Sequence, residues 1–212
     1  MAAKIGAEQT STVAGTDPRA VNTAKGRPAD QAVALWAHHP RTLRALTGVL
    51  ALNAGSVAVA RRLLTDERVT LLVPLSAGAQ RVDWLEPASQ DGWALLFGTR
   101  WAPLLPVLDD FPVLYVSSAN RTGQPPAATA GEAVAMFPPA TAVLGTASLA
   151  DSDTDTDIGT GTEDRRPGRS ATTTLRLHPD GRVDLHRHGA QDQPYPSADG
   201  YLDHIRTAYL GG

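Results

Sequence analysis

The chain contains no cysteine. Disulfides, thiolate metal sites and a cysteine nucleophile are therefore excluded, and the redox state of the compartment places no demand on folding. No run of eighteen apolar residues occurs, so no segment reads as a membrane-spanning helix. Residues 1–8 lack the long apolar core of a secretory signal. A cytoplasmic protein with no membrane partner is the expectation. Lysine is nearly absent as well: among 19 Lys and Arg residues, only Lys4 and Lys25 are lysines. A GC-rich genome that writes Arg for Lys is the simplest cause, and against it a lysine kept inside a motif stands out. The net charge of −3 gives no global pull toward nucleic acid. The sequence also lacks a Walker phosphate loop, a dinucleotide-binding glycine fingerprint, an HExxH zinc helix and a GxSxG nucleophile elbow.

What is present is enough for a full core. The 212 residues are 42% apolar, which fits one α/β domain with a tail. Residues 4–14 read as one short strand with a Thr/Ser-rich end. Asp17-Pro18 opens a helix that Gly26 and Pro28 break. A strand is predicted within 31–37, helices over 41–52 and 55–64, and strands over 69–74 and 93–98. A helix over 102–108 precedes a strand that runs from Phe111 to Val116. A helix over 130–137, a short strand at 141–144 and a hairpin of 172–177 with 183–187 follow, and 201–210 reads as an amphipathic helix. Strands and helices interleave, which argues a layered domain with a mixed sheet. Residues 1–190 form that domain, 191–212 a C-terminal tail with a short helix. Residues 151–170 alternate acids and hydroxyls with nothing apolar to bury, and read as a mobile acidic loop within the domain.

Three clusters can carry chemistry. Ser117-Ser118-Ala119-Asn120-Arg121-Thr122-Gly123-Gln124-Pro125 sits at the end of a buried-strand pattern and before a helix. Hydroxyls, an amide and free backbone N–H groups there suit an anion such as phosphate. Lys25 and Arg27 flank a Gly turn, where they can clamp a polyphosphate as point charge and fork. Arg187, between His186 and His188 on a strand, reads as an anion contact rather than part of a metal site. The acidic run at 151–157 lacks the spacing of an EF-hand loop. No metal ligand set is assigned, and no catalytic residue is singled out.

Taken together, Lys25-Gly26-Arg27-Pro28 and Ser117–Pro125 resemble the KGRP and SAN-x-SG-x-P turns of the YrdC-like family, whose enzymatic members are threonylcarbamoyl-AMP synthases. Further matches follow in order. Residues 9–15 look like a worn PTETVYG, 69–74 like PLTLVLP, 172–177 like STVVDL and 185–190 like LRPGA. The resemblance spans roughly residues 5–190. It implies a twisted open mixed sheet flanked by helices, with a concave, positively charged cleft. It also implies joining of ATP, bicarbonate and L-threonine, or another amino substrate, to give a carbamoyl-AMP product and pyrophosphate. Mg²⁺ would accompany ATP, and the product would serve modification of tRNA adenosine 37, with tRNA or tRNA-modification enzymes as partners.

Carried over residue by residue, Lys25, Arg27, Ser118, Ala119, Asn120 and Arg187 would hold nucleotide and phosphates. Thr10, Thr12, Ser117 and Thr172 would meet the amino substrate. Several positions depart from the family pattern. Gln31 stands for its Asn, Trp36 for a threonine-binding His, Ser11 for the Glu of PTET and Ala14 for its Tyr. An ungapped count puts Leu96 where a carboxylate-binding Arg is usual, with Arg100 as a shifted replacement, and the family's helix before the first strand has no counterpart. With Trp36, Ala14 and Leu96 the amino-acid pocket reads as apolar, and threonine would be excluded if Trp36 and Leu96 filled it. Two alternatives stand beside the enzyme: a non-catalytic module that binds nucleotide or double-stranded RNA, and a specialist acting on another small molecule.

Overall fold

A computed structural model describes residues 2–7, 10–79, 82–98, 108–125, 127, 130–137, 142–144 and 171–211. Local signals set most element boundaries. Helix α1 (Pro18–Ala24) starts where the Asp17 carboxylate accepts from the Arg19 amide, with Pro18 in the first turn. Helix α2 (Pro40–Thr47) is capped by the His39 ring and stops at Gly48, short of the helix predicted to Leu52. Leu50 instead makes a bridge to Leu75. Asn53 caps α3 (Ala54–Arg62), which widens into a π-turn over Leu63–Glu67. Helices α4 (Ala130–Met136) and α5 (Ala198–Ile205) complete the set among the described residues.

The strands are β1 (Ala2–Ala7), β2 (Thr10–Gly15), β3 (Ala34–Trp36), β4 (Thr70–Pro74), β5 (Ser89–Gln90), β6 (Trp93–Phe97), β7 (Tyr115–Ser118), β8 (Ala142–Leu144), β9 (Thr174–Leu177) and β10 (Val183–Arg187). They form one sheet in the order β10-β9-β4-β6-β3-β7-β2-β1-β8, with β5 beside β6. The pairs β3/β6, β4/β9 and β1/β8 are parallel and the others antiparallel. The result is a mixed, curled open sheet flanked by helices. The single strand predicted over 4–14 is a correction: the segment doubles back, pairing Ala7 with Thr10, so both halves satisfy each other's backbone groups. The helix predicted over 102–108 lies, except for Leu108, outside the described residues, as does the 151–170 segment.

Period-2 alternation assigns the two faces. Leu71 and Val73 of β4, Ala94 and Leu96 of β6, and Leu175 and Leu177 of β9 turn into the main core, with Leu63, Leu64, Tyr201 and Ile205. Residues 191–211 thus join the main core through Tyr201 and Ile205. Glu67 accepts a hydrogen bond from Tyr201 Oη and one from Tyr209 Oη, each 2.9 Å. A smaller core on the other side holds Ala14, Ala34, Trp36, Phe97, Leu108, Leu114 and Val116.

At Gly98, just past β6, an added methyl would collide with the Leu64 backbone. Gly98→Ala is therefore expected to lower the unfolding free energy by about 1–3 kcal/mol. Gly78→Ala, whose methyl would meet no atom within 4 Å, should stay within about 0.5 kcal/mol of wild type. Urea denaturation followed by tryptophan fluorescence checks both.

Candidate functional site

The site begins at the end of α1. Lys25 caps the helix and Gly26 takes a left-handed φ of +66°, a conformation that costs glycine little and turns the chain back toward the sheet. Asn22, fully buried, holds the returning loop. Its Nδ2 donates to Ala29 O at 2.9 Å and Gln31 O at 2.8 Å, while Oδ1 accepts from Arg27 Nε at 2.5 Å. Every polar atom of the amide is used, as burial requires.

Lys25, only 3% exposed, reaches across to the end of β7. Its Nζ donates to the Ser118 carbonyl, to Asn120 Oδ1 at 2.9 Å and more distantly to Ser118 Oγ at 3.5 Å. Ser118 Oγ also donates to Asn120 Oδ1 at 2.6 Å, and Asn120 Nδ2 donates to Gln124 O at 2.7 Å. The two turns that stand out in the sequence are thus joined by one ammonium group.

The third wall comes from the β9–β10 hairpin. Thr172 Oγ1 pairs with Thr70 Oγ1 at 2.6 Å, and Arg187 Nη2 donates to Thr172 O at 3.4 Å. Asp192, 7% exposed, pins this corner. It accepts from Thr173 Oγ1 at 2.5 Å, from the Gly189 amide at 2.6 Å and from His188 Nδ1 at 2.6 Å. Burial alone would raise the Asp192 carboxyl; the hydrogen bonds from Thr173, His188 and Gly189 overcome that and hold it below the usual range. Gly189 is needed here, because a methyl would overlap the backbone of residues 171–173.

These walls enclose a cavity of about 140 Å³. Arg27 and Arg187 line it with the hydroxyl residues Thr12, Thr70, Ser117, Ser118 and Thr172, while Ala34, Leu95, Phe97 and Val116 form an apolar side. A more open cavity of about 340 Å³ is lined by Thr23, Ala24, Lys25, Gly26, Arg121, Thr122 and Gln124. No carboxylate lines either space among the described residues. Burial, and after it the nearby Arg27 and Arg187, push Lys25 down to about 7. Burial also lowers Arg27 and Arg187. Arg27 and Arg187 beside hydroxyls and an apolar wall, with Lys25 on the neighbouring cavity and no acid in either lining, could meet an anionic ligand with some apolar character. No group of three or more His, Asp or Glu able to hold a metal ion occurs among the described residues.

Of the residues singled out in the sequence, Arg27, Thr12, Ser117, Ser118, Thr172 and Arg187 share the smaller cavity, and Lys25 stands between it and the larger one. Asn120 lines neither; it accepts from Lys25. Ala119 is buried in the main core. Thr10 starts β2 opposite Ala7. Arg100 lies outside the described residues. Trp36 and Leu96, which would have excluded threonine by filling the pocket, do not line this cavity. Leu96 points into the main core, so the adjacent Leu95 and Phe97 face the cavity. Trp36 sits behind Phe97, edge-on at 5.5 Å. A count along the sequence could not place the strand's register, and a one-residue slip exchanges the faces. Asn22, Thr70 and Asp192 escaped the sequence reading. Only Asn22 left a sign: a buried-spaced amide in a helix interior, where Asn is a poor helix former.

The sheet and the cation-lined cavity at its strand ends define the class: a curled, open-sheet α/β domain of YrdC-like fold. Several solved structures share this fold. Sua5 of P. abyssi complexed with L-threonine matches with a TM-score of 0.56 at 15% identity, over 89% of this chain and 50% of Sua5. Full-length HypF in its phosphate- and nucleotide-bound form matches with a TM-score of 0.58 at 13% identity, over 92% of this chain and 28% of HypF. A hypothetical protein from Streptococcus mutans UA159 matches with a TM-score of 0.55 at 14% identity, over 100% of this chain and 87% of that one. The chain spans about half the length of Sua5. No family model matches the chain, and no curated protein sequence does. No helix among the described residues is long and apolar enough to cross a membrane.

Two outcomes follow from the geometry. An anion placed beside Lys25 raises its pKa from about 7, so binding of inorganic triphosphate at pH 8 should take up a proton, and affinity should fall as pH rises through that value. Titration calorimetry in buffers of different ionisation enthalpy reads the uptake, and Lys25→Met should abolish it. Asn22→Ala strands the Arg27 loop; it should cost about 1–3 kcal/mol of stability and weaken triphosphate binding, as measured by denaturation and calorimetry.

Proposed function

We propose that this protein is an ATP-utilising enzyme that joins bicarbonate and an amino acid to AMP. The observation that carries the reading is a hydroxyl-lined cavity with an apolar side that Arg27 and Arg187 line, with the buried Lys25 behind its Ser118 wall. The fold shared with a protein solved with L-threonine and with another solved with phosphate and nucleotide supports it.

The chemistry has two steps. The amine and bicarbonate condense with loss of water to a carbamate, R–NH–COO⁻. A carbamate oxygen then attacks the α-phosphorus of ATP, and the bond to the β-phosphate breaks to release pyrophosphate. Neither step changes an oxidation state. Lys25, Arg27 and Arg187 stabilise the charge that builds on the phosphates. They also neutralise the repulsion between two anions, carbamate and ATP, that must meet. Thr12, Ser117 and Thr172 offer hydroxyls to the amino substrate, and Leu95, Phe97 and Val116 exclude water that would otherwise hydrolyse the adenylate. Mg²⁺ would enter with the ATP phosphates, where it supplies further charge neutralisation; without a carboxylate in the lining, this chain would hold it through the nucleotide and hydroxyls alone. The carbamoyl-AMP product fits donation to tRNA adenosine 37 in a cytoplasmic setting.

The Leu95–Phe97–Val116 wall favours amino substrates with apolar side chains beside threonine. Pyrophosphate release should require ATP, bicarbonate and one member of an amino-acid panel that includes threonine, valine and leucine. Arg27→Ala and Arg187→Ala should each lower kcat/KM by about 100-fold or more. ATP binding with no pyrophosphate release from any member would refute catalysis and leave a nucleotide-holding module.

A further inference from the structure

The sheet face that lines the small cavity runs on past it. Phe97, Thr70, Thr174 and Arg187 stand side by side across β6, β4, β9 and β10. Two residues further along, Leu95, Leu72 and Arg176 form the next row on the same face, about 7 Å away by strand geometry. Trp93 closes the row after that, opposite Pro74.

The Arg176 guanidinium lies over the Trp93 ring, 5.0 Å from its centroid. The His178 ring meets Trp93 edge-on at 5.8 Å. Arg176 is not engaged by an acid: Asp184, its register partner, is taken by Arg182 Nη1 at 2.6 Å and His178 Nε2 at 2.8 Å. Arg176 Nη2 reaches His186 Nδ1 only at 3.5 Å, and its buried Nε has no hydrogen-bond partner among the described residues. Both Arg176 and Trp93 remain partly exposed. His186 stands in the field of both Arg176 and Arg187; burial first, and then these two cations, lower its pKa. Arg187 of the cavity and Arg176 outside it thus both act on His186 between them.

A guanidinium lying over an indole offers a delocalised cation on a rigid support, a surface on which nucleobases stack. We infer that Arg176 and Trp93, on the sheet face next to the cavity, form a base-stacking subsite that takes the purine ring of a bound nucleotide. Arg176 lies two residues along β9 from Thr174, the register partner of Arg187, a step comparable with the reach from a phosphate across a ribose to its base. The inference rests on the nucleotide reading of the cavity, and its test separates the two.

The full chain is titrated calorimetrically with ATP and, separately, with inorganic triphosphate. Wild type should bind ATP more tightly than triphosphate. Arg176→Ala and Trp93→Ala should weaken ATP about tenfold or more, and leave triphosphate within about threefold, since the phosphate contacts are untouched. Arg176→Lys keeps the charge but not the plane, and should also weaken ATP selectively; its retained triphosphate binding reports an intact fold. Unchanged ATP affinity in Arg176→Lys and Trp93→Ala, or equal losses for both ligands, overturns the subsite. Wild type that binds triphosphate as tightly as ATP overturns the subsite and leaves the anion site standing, whereas wild type that binds neither overturns the nucleotide reading as well.

Discussion

The buried ammonium of Lys25 is the contact on which the site depends. It ties the end of α1 to the end of β7, elements separated by 93 residues along the chain. Placing a lysine at 3% exposure between two arginines is costly, and three acceptor contacts from Ser118 and Asn120 offset part of that cost. An anion would remove much of the remainder. The same arrangement explains why binding and protonation are coupled: whatever neutralises the cluster also makes the charged form of Lys25 easier to hold.

Around that contact the supporting groups are buried polar residues with their bonding capacity used. Asn22 holds the Arg27 loop from inside the helix it terminates, and Asp192 holds the Thr172–Arg187 corner from beyond the last strand. Neither lines the cavity. Both fix backbone that would otherwise let a guanidinium drift, and small displacements of such groups matter where charge must be met by geometry.

The sheet separates two tasks by alternation. One face carries Leu71, Val73, Leu96 and Leu175 into the main core. The other offers Thr70, Leu95 and Phe97 to the cavity, with Trp36 and Leu114 packed behind it as a second apolar layer. The apolar wall of the site is thus anchored in a small core of its own. Strands β6 and β4 continue past the cavity on this face to Leu72 and Trp93, so the same alternation that builds the pocket also sets Arg176 beside the indole.

Much of this was legible in the chain. Caps and breakers at Asp17, Pro18 and Gly26, the β-branched run at 69–74, the apolar run at 93–98, and the hairpin at 172–187 follow from local propensity and period. Anion chemistry marked Lys25, Arg27, Ser118 and Arg187 from residue type and turn, while Ser117 and Thr172 were picked out only by the resemblance to the YrdC-like family. Local signals could not tell which neighbour on β6 faces the ligand, since Leu95 and Leu96 differ only in register and register is decided by partner strands. They could not show that Asn120 serves Lys25, that Asp192 belongs to the site, or that Arg176 meets Trp93. Those facts depend on contacts between residues far apart in sequence, and only the folded sheet brings such residues within reach of one another.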